Sequence, residues 1–233
     1  MAYRRIVVMA NGALHDPQYI RDQLREDDYI ICADGGALHA LKMGLQPDLV
    51  VGDLDSLPAA AAGRLKEQGV KILRFPAEKD HSDLELALER AVALAPAEIL
   101  LTGVLEGERL EHTFGNLMLL MIPLRAGIPA QIIDEKRRIY LVDSELTVTG
   151  RPGDYLSLFP LTAVVDNVKT EGLKYPLKGE KLYFGSTRGL SNEFIAATAR
   201  VTAGAGLLLV IISKIDNPGQ GVEGHAPNPG PGR

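Results

Sequence analysis

Up to about residue 133, short apolar runs take turns with helix-like segments; beyond it the helices stop. The runs are Ile6–Met9, Tyr29–Cys32, Leu49–Val51, Val70–Leu73, Ile99–Leu101 and Gln131–Ile133. Apolar runs of this kind fit strands covered on both faces, the condition of a parallel sheet sandwiched by helices. Between them Pro17–Arg25, Ala37–Met43, Pro58–Gln68, Asp83–Leu94 and Thr113–Arg125 are bounded by Gly, Pro or capping residues and read as helices. The alternation predicts an N-terminal three-layer α/β domain with a largely parallel sheet, whose functional residues lie in the loops following the strands.

From about Arg138 the pattern is all-β. Short strands are predicted at Ile139–Val142, Tyr155–Phe159, Val164–Val168, Leu182–Phe184 and Leu207–Ile212, with turns at Pro152-Gly153-Asp154, Lys178-Gly179-Glu180 and Gly185-Ser186. A boundary near Asp143–Thr147 separates an α/β unit (1–143) from a second β unit (144–214). The tail, 215–233, is rich in Gly, Pro and Asn and has too little apolar surface to offset the entropy of ordering, so disorder is expected there.

A chain of 233 residues buries a core without disulfide or metal staples. The one cysteine, Cys32, sits in an apolar run and reads as a buried strand residue, which fits a reducing, cytoplasmic compartment. The run Ile6–Ala10 behind the basic N-terminus is too short for a secretion signal, and no stretch approaches the roughly 18 apolar residues of a membrane span. A net charge of −5 argues against nucleic acid as a partner, while leaving room for one nucleotide in a local pocket.

Two acidic groups carry the chemistry, in the stretch from Asp48 to Glu85. The run Leu49–Val51 passes directly into Gly52-Asp53-Leu54-Asp55-Ser56, a loop whose carboxylates suit a hard cation such as Mg²⁺; the alternative is that Asp55 or Ser56 caps the helix starting near Pro58. After the next strand comes Lys79-Asp80-His81-Ser82-Asp83-Leu84-Glu85. Loops after successive parallel strands open at one end, so Asp53, Asp55, Asp80 and Asp83 are expected to converge, with a metal relieving their repulsion and Lys79 facing phosphate. Ser82 and Glu85 also form a capping box, the helix dipole alone accounts for Asp83, and His81 reads as an exposed loop residue. Asp34-Gly35-Gly36 is a strand-to-helix turn that allows backbone N–H groups to approach a phosphate, or simply permits close packing. Arg109 stands at the same end of the sheet, either to bind polyphosphate or to pair with Glu106 or Glu111, and His112 is either a helix-end residue or a catalyst.

As a set, Ala33–Ala37, Gly52–Ser56, Lys79–Glu85, Arg109–Asn116, Gly172–Leu177 and Gly189–Glu193 resemble the thiamine pyrophosphokinase family over about Ile6 to Ile212. The resemblance implies a C-terminal β-sandwich behind the α/β domain, a homodimer with thiamine between subunits, and transfer of diphosphate from ATP to thiamine with Mg²⁺. It implies metal ligation by Asp53, Asp55, Asp80 and Asp83, and catalytic roles for Asp55, Asp80, Asp83 and Arg109. Nucleotide contacts would come from Asp34, Gly35, Gly36, Lys79, Ser82, His112 and Asn116, and thiamine contacts from Ser191 and Asn192. Ser82 stands where the family usually has Thr, and Glu111 where it has Asp. Two rival readings remain at this point: an aspartate-nucleophile phosphatase working through an acyl-phosphate on Asp53, although Leu57 replaces the expected small hydroxyl residue, and a non-catalytic thiamine or nucleotide sensor.

Overall fold

The computed structural model describes residues 4–105 and 109–215. The six apolar runs become β1 (Arg5–Met9), β2 (Tyr29–Ala33), β3 (Leu49–Gly52), β4 (Lys71–Arg74), β5 (Glu98–Thr102) and β6 (Ala130–Ile133). They are parallel, in the order β6-β5-β1-β2-β3-β4. Helices α1 (Pro17–Gln23), α2 (Gly36–Lys42), α3 (Ala59–Glu67), α4 (Asp83–Ala93), α5 (Leu110–Met118) and α6 (Met121–Arg125) connect them.

Period-two geometry sorts the strand side chains onto two cores. Val7, Met9, Ile30, Cys32 and Val50 pack with Ile20 of α1, Ala37 and Ala40 of α2 and Leu65 of α3. Ile6, Val8, Ile31, Leu49 and Val51 pack with Leu84, Ala87, Leu88 and Ala91 of α4 on the opposite face. Each fully buried aliphatic side chain contributes about 1.5–3 kcal/mol, so helices on both faces are what makes such uniformly apolar strands stable. One helix expected over Thr113–Arg125 is instead two. Pro123 has no N–H to give the carbonyl of Leu119, and the chain breaks between α5 and α6 there.

Past β6 the sheet continues rather than ending. β7 (Arg137–Val142) turns back antiparallel to β6, β14 (Leu208–Ser213) pairs with β7, β9 (Tyr155–Pro160) with β14, and β12 (Asn192–Glu193) with β9, giving ten strands. A second sheet, of β8 (Glu145–Thr149), β10 (Val164–Glu171), β11 (Lys178–Tyr183) and β13 (Thr198–Thr202), runs in the order β11-β10-β13-β8. Val148, Val165, Leu182 and Val201 of the smaller sheet share a core with Val142, Leu156, Leu158 and Val210 of the larger, which makes this end a β-sandwich. The tail expected to be disordered lies outside the described residues except for Ile215. Among the described residues no helix is long and apolar enough to cross a membrane.

His39 ties α2 to the loop after β1, its Nε2 lying 2.9 Å from the carbonyl oxygen of Gly12. Burial disfavours the charged ring and pushes the pKa below its ordinary 6.5, against the opposing pull of the hydrogen bond to the Gly12 carbonyl. Because the unfolded chain then takes up the proton first, stability should fall as pH drops through 6.5. In urea titrations, His39→Gln should lose less stability than the parent between about pH 7 and pH 5. Equal losses would remove His39 from the pH response.

Candidate active site

β1 to β4 step outward in one direction, and α4 then returns the chain to the other side of β1, where β5 lies. Such a reversal in strand order is where a crevice forms at the carboxyl ends of the strands, and here the loops leaving β1 and β5 run side by side at its base, the Gly12 N–H donating to the Gly103 carbonyl at 2.7 Å. A cleft of about 790 Å³ occupies that place. Asp34 enters it from the end of β2, Asp53 from β3, and Lys79 and Asp83 from the β4–α4 connection.

Carboxylate oxygens of Asp34, Asp53 and Asp83 lie within 4.8 Å of one another. Asp34 holds a left-handed backbone, φ 43°, a conformation that Asp tolerates better than most residues, and is only 7% exposed. Gly52 makes the approach possible. A Cβ there would sit 3.1 Å from Asp34 Cβ and 3.2 Å from Asp83 Oδ1, and its φ of 148° is a conformation side chains rarely adopt. Oδ1 of Asp34 and Oδ1 of Asp83 are buried without hydrogen-bond partners. Burial raises the Asp83 pKa, with Asp53 and Asp34 adding to the effect against the opposing charge of Lys79. Lys79 Nζ stands 3.1 Å from Asp83 Oδ1 and 3.7 Å from Asp53 Oδ2. Its burial disfavours the ammonium, but the two aspartates more than offset this and raise its pKa. Orphaned buried oxygens, a glycine cradle and an all-oxygen donor set fit a small hard divalent cation.

Other expected residues fall at different distances from this centre. Asp55 lines the cleft at its exposed rim; Leu54 at φ 69° breaks the extended geometry that would keep a D-x-D pair on one face. Its N–H donates to Asp53 Oδ1 and its own Oδ1 accepts from the Ser56 hydroxyl. Asp80 is exposed and lies outside the cleft lining. The Ser82 hydroxyl accepts from the Glu85 N–H and caps α4, though the residue also lines the cleft. Asp48 accepts from the N–H of Ile30 at the start of β3, the opposite edge of the sheet, and is structural. At Gly35 a Cβ would collide with the Asn11 amide and at Gly36 it would come within 2.1 Å of the Met9 carbonyl oxygen, so close packing explains that pair.

The far wall of the cleft comes from α5. Arg109 and His112 are exposed there, and the Arg109 guanidinium donates to Glu111 at 2.6 Å, while Glu106 lies outside the described residues. That pairing holds the Glu111 carboxyl below its usual range. Asn116 donates to the carbonyl of Val104, and Thr113, which sequence reasoning did not single out, donates to that of Leu105. Together they fasten α5 to the loop leaving β5. Ser191 and Asn192 are not brought to the cleft. Asn192 lies on β12, six strands from β1, and its amide clasps Tyr175, accepting from the Tyr175 N–H and donating to the Tyr175 carbonyl; Ser191 N–H donates to the Ser157 hydroxyl.

Comparison with known proteins follows the same division of the chain. Residues 20–132 match the family described as thiamin pyrophosphokinase, catalytic domain, and residues 142–208 match thiamin pyrophosphokinase, vitamin B1 binding domain. The thiamine pyrophosphokinase of Bacillus subtilis is 30% identical over 188 residues, covering 78% of this chain and 86% of that protein. The crystal structure of the enzyme from B. subtilis superposes with a TM-score of 0.82 at 28% identity, over 90% of this chain and 98% of that one. The corresponding structure from Geobacillus thermodenitrificans gives 0.80 at 30% identity, over 91% and 99%. With both halves matched in order and the whole architecture shared, this chain belongs to the thiamine pyrophosphokinase family.

Proposed function

We propose that this chain is a thiamine diphosphokinase, transferring the terminal diphosphate of ATP to the hydroxyl of thiamine to give thiamine diphosphate and AMP. The observation that carries the reading, beside the family itself, is the meeting of three carboxylates from three separate loops, with Asp34 Oδ1 buried without a hydrogen bond and Asp83 Oδ1 met only by the Lys79 ammonium. Asp34, Asp53 and Asp83 would hold Mg²⁺, with Asp55 on the rim. Bound there, Mg²⁺ would supply the positive charge that neutralises a polyphosphate during transfer. The chain's own groups position the reactants. Arg109 is free at its outer face to leave Glu111 for phosphate oxygens, and Asn116 and Thr113 hold the α5 wall at a fixed distance. In the reaction the thiamine oxygen bonds to the β-phosphorus, the bond from that phosphorus to the α,β-bridging oxygen breaks, AMP leaves, and a rim carboxylate takes the hydroxyl proton.

Ser191 and Asn192 stand roughly 33–39 Å along the sheet from the carboxylates at the ends of β2 and β3, by strand spacing. A single chain cannot join the two, which supports a homodimer in which the thiamine contacts reach the cleft of the neighbouring subunit. Cytoplasmic residence, with no disulfide available to the lone buried Cys32, belongs to the same proposal.

The purified protein with ATP, Mg²⁺ and thiamine should release AMP and thiamine diphosphate in equal amounts, and should run in solution at twice 25.1 kDa. Free phosphate in place of AMP would instead indicate the phosphatase reading, and binding without turnover the sensor reading.

A further inference from the structure

Lys79 is held in an unusual way for a residue expected to meet phosphate. Its ammonium donates to the Pro76 carbonyl at 3.0 Å while standing 3.1 Å from Asp83 and 3.7 Å from Asp53, and the side chain is 15% exposed. The contact with Asp83 Oδ1 has the distance of an ion pair but not the alignment of a hydrogen bond, so that oxygen is left without a directed donor. The ammonium thus sits beside the carboxylates that fit a divalent ion. Two cations cannot share that space without strong repulsion at a few ångströms. A lysine has the flexible stem and compact charge needed to leave.

We propose that Lys79 is an exchangeable counter-ion, which neutralises Asp53 and Asp83 while the metal is away and moves to the polyphosphate oxygens when metal and nucleotide arrive. The inference rests on the assignment of the carboxylates as a metal site. It has a consequence of opposite sign for the two ligands. Metal alone must displace Lys79 from its partners, so Lys79 weakens metal binding. Metal with nucleotide gives the displaced ammonium new anionic partners, so Lys79 strengthens nucleotide binding and couples the two events.

Calorimetry with Mn²⁺ alone, and then with ATP in the presence of Mn²⁺ and no thiamine, tests this. Lys79→Met should bind Mn²⁺ alone about fivefold more tightly than the parent and ATP about fivefold more weakly, the lower end of ordinary coupling between sites. Lys79→Arg, which keeps the charge, should not gain affinity for Mn²⁺. If Lys79→Met does not fold, Lys79→Gln takes its place, keeping a donor for Pro76 without the charge. Unchanged or weaker Mn²⁺ binding, or undiminished ATP binding, in the uncharged variant would overturn the proposal. Failure of the parent to bind Mn²⁺ at all would overturn the metal assignment, and this inference with it.

Discussion

Asp83→Asn is expected to lower kcat/KM by on the order of 10²-fold or more, equivalent to about 2.7 kcal/mol or more of transition-state stabilisation. The residue is placed by the capped first turn of α4 against Asp34 and Asp53, so an amide would keep the shape and remove one anionic ligand. The loss should not come from unfolding. Burial and the neighbouring carboxylates disfavour the charge of Asp83 more than Lys79 favours it, so a neutral amide should leave metal-free stability unchanged or higher. Steady-state rates paired with thermal melts in a chelator separate the two effects. Asp80→Asn is the contrast: exposed and outside the cleft, it should lose much less. Near-normal turnover by Asp83→Asn would end the case for a three-carboxylate centre.

Gly36→Ala should be among the most damaging small changes to the fold. The added Cβ would lie 2.1 Å from the Met9 carbonyl oxygen and 2.7 Å from its carbon, at the end of β1 in the middle of the parallel sheet. Backbone on both sides must then move, which puts the penalty at the top of the overpacking range, roughly 3 kcal/mol. For a chain of this size that lowers Tm by about 6–12 °C. Gly63→Ala on α3 is the control. Nothing lies within 4 Å of its added Cβ, so the gain in helix propensity should raise stability by about 0.5–1 kcal/mol. A Tm for Gly36→Ala within a degree of the parent would show that α2 is free to shift away from β1.

Much of this architecture was legible because burial on both faces leaves a clear trace. β1, β2, β3 and β5 are continuous apolar runs, and their limits fall within a residue or so of those expected. β8 and β13 were not singled out, because their outer faces are solvated and few of their side chains are buried: Val148 in β8, Ala199 and Val201 in β13. The meeting of Asp53 with Asp83 at one end of the sheet followed from parallel strand order. What spacing could not convey was the turn of the backbone inside each loop. The left-handed residue at Leu54 moves Asp55 to the rim, and that at Asp34 brings a residue expected at the nucleotide into the carboxylate group. Likewise nothing in Ser191-Asn192 announced that the Asn192 amide would be occupied by Tyr175.

The ten-stranded sheet also governs how the molecule would tolerate being cut. Strand β14, near the end of the described chain, is hydrogen-bonded along its length to β7, which completes the α/β half. Severing the chain after Val142 would therefore not liberate a self-sufficient catalytic fragment. It would leave β7 as a bare, largely buried-type edge carrying Ile139, Leu141 and Val142, open to pairing with another copy. Proteolysis or truncation there should yield aggregates, and the two halves should melt in a single transition.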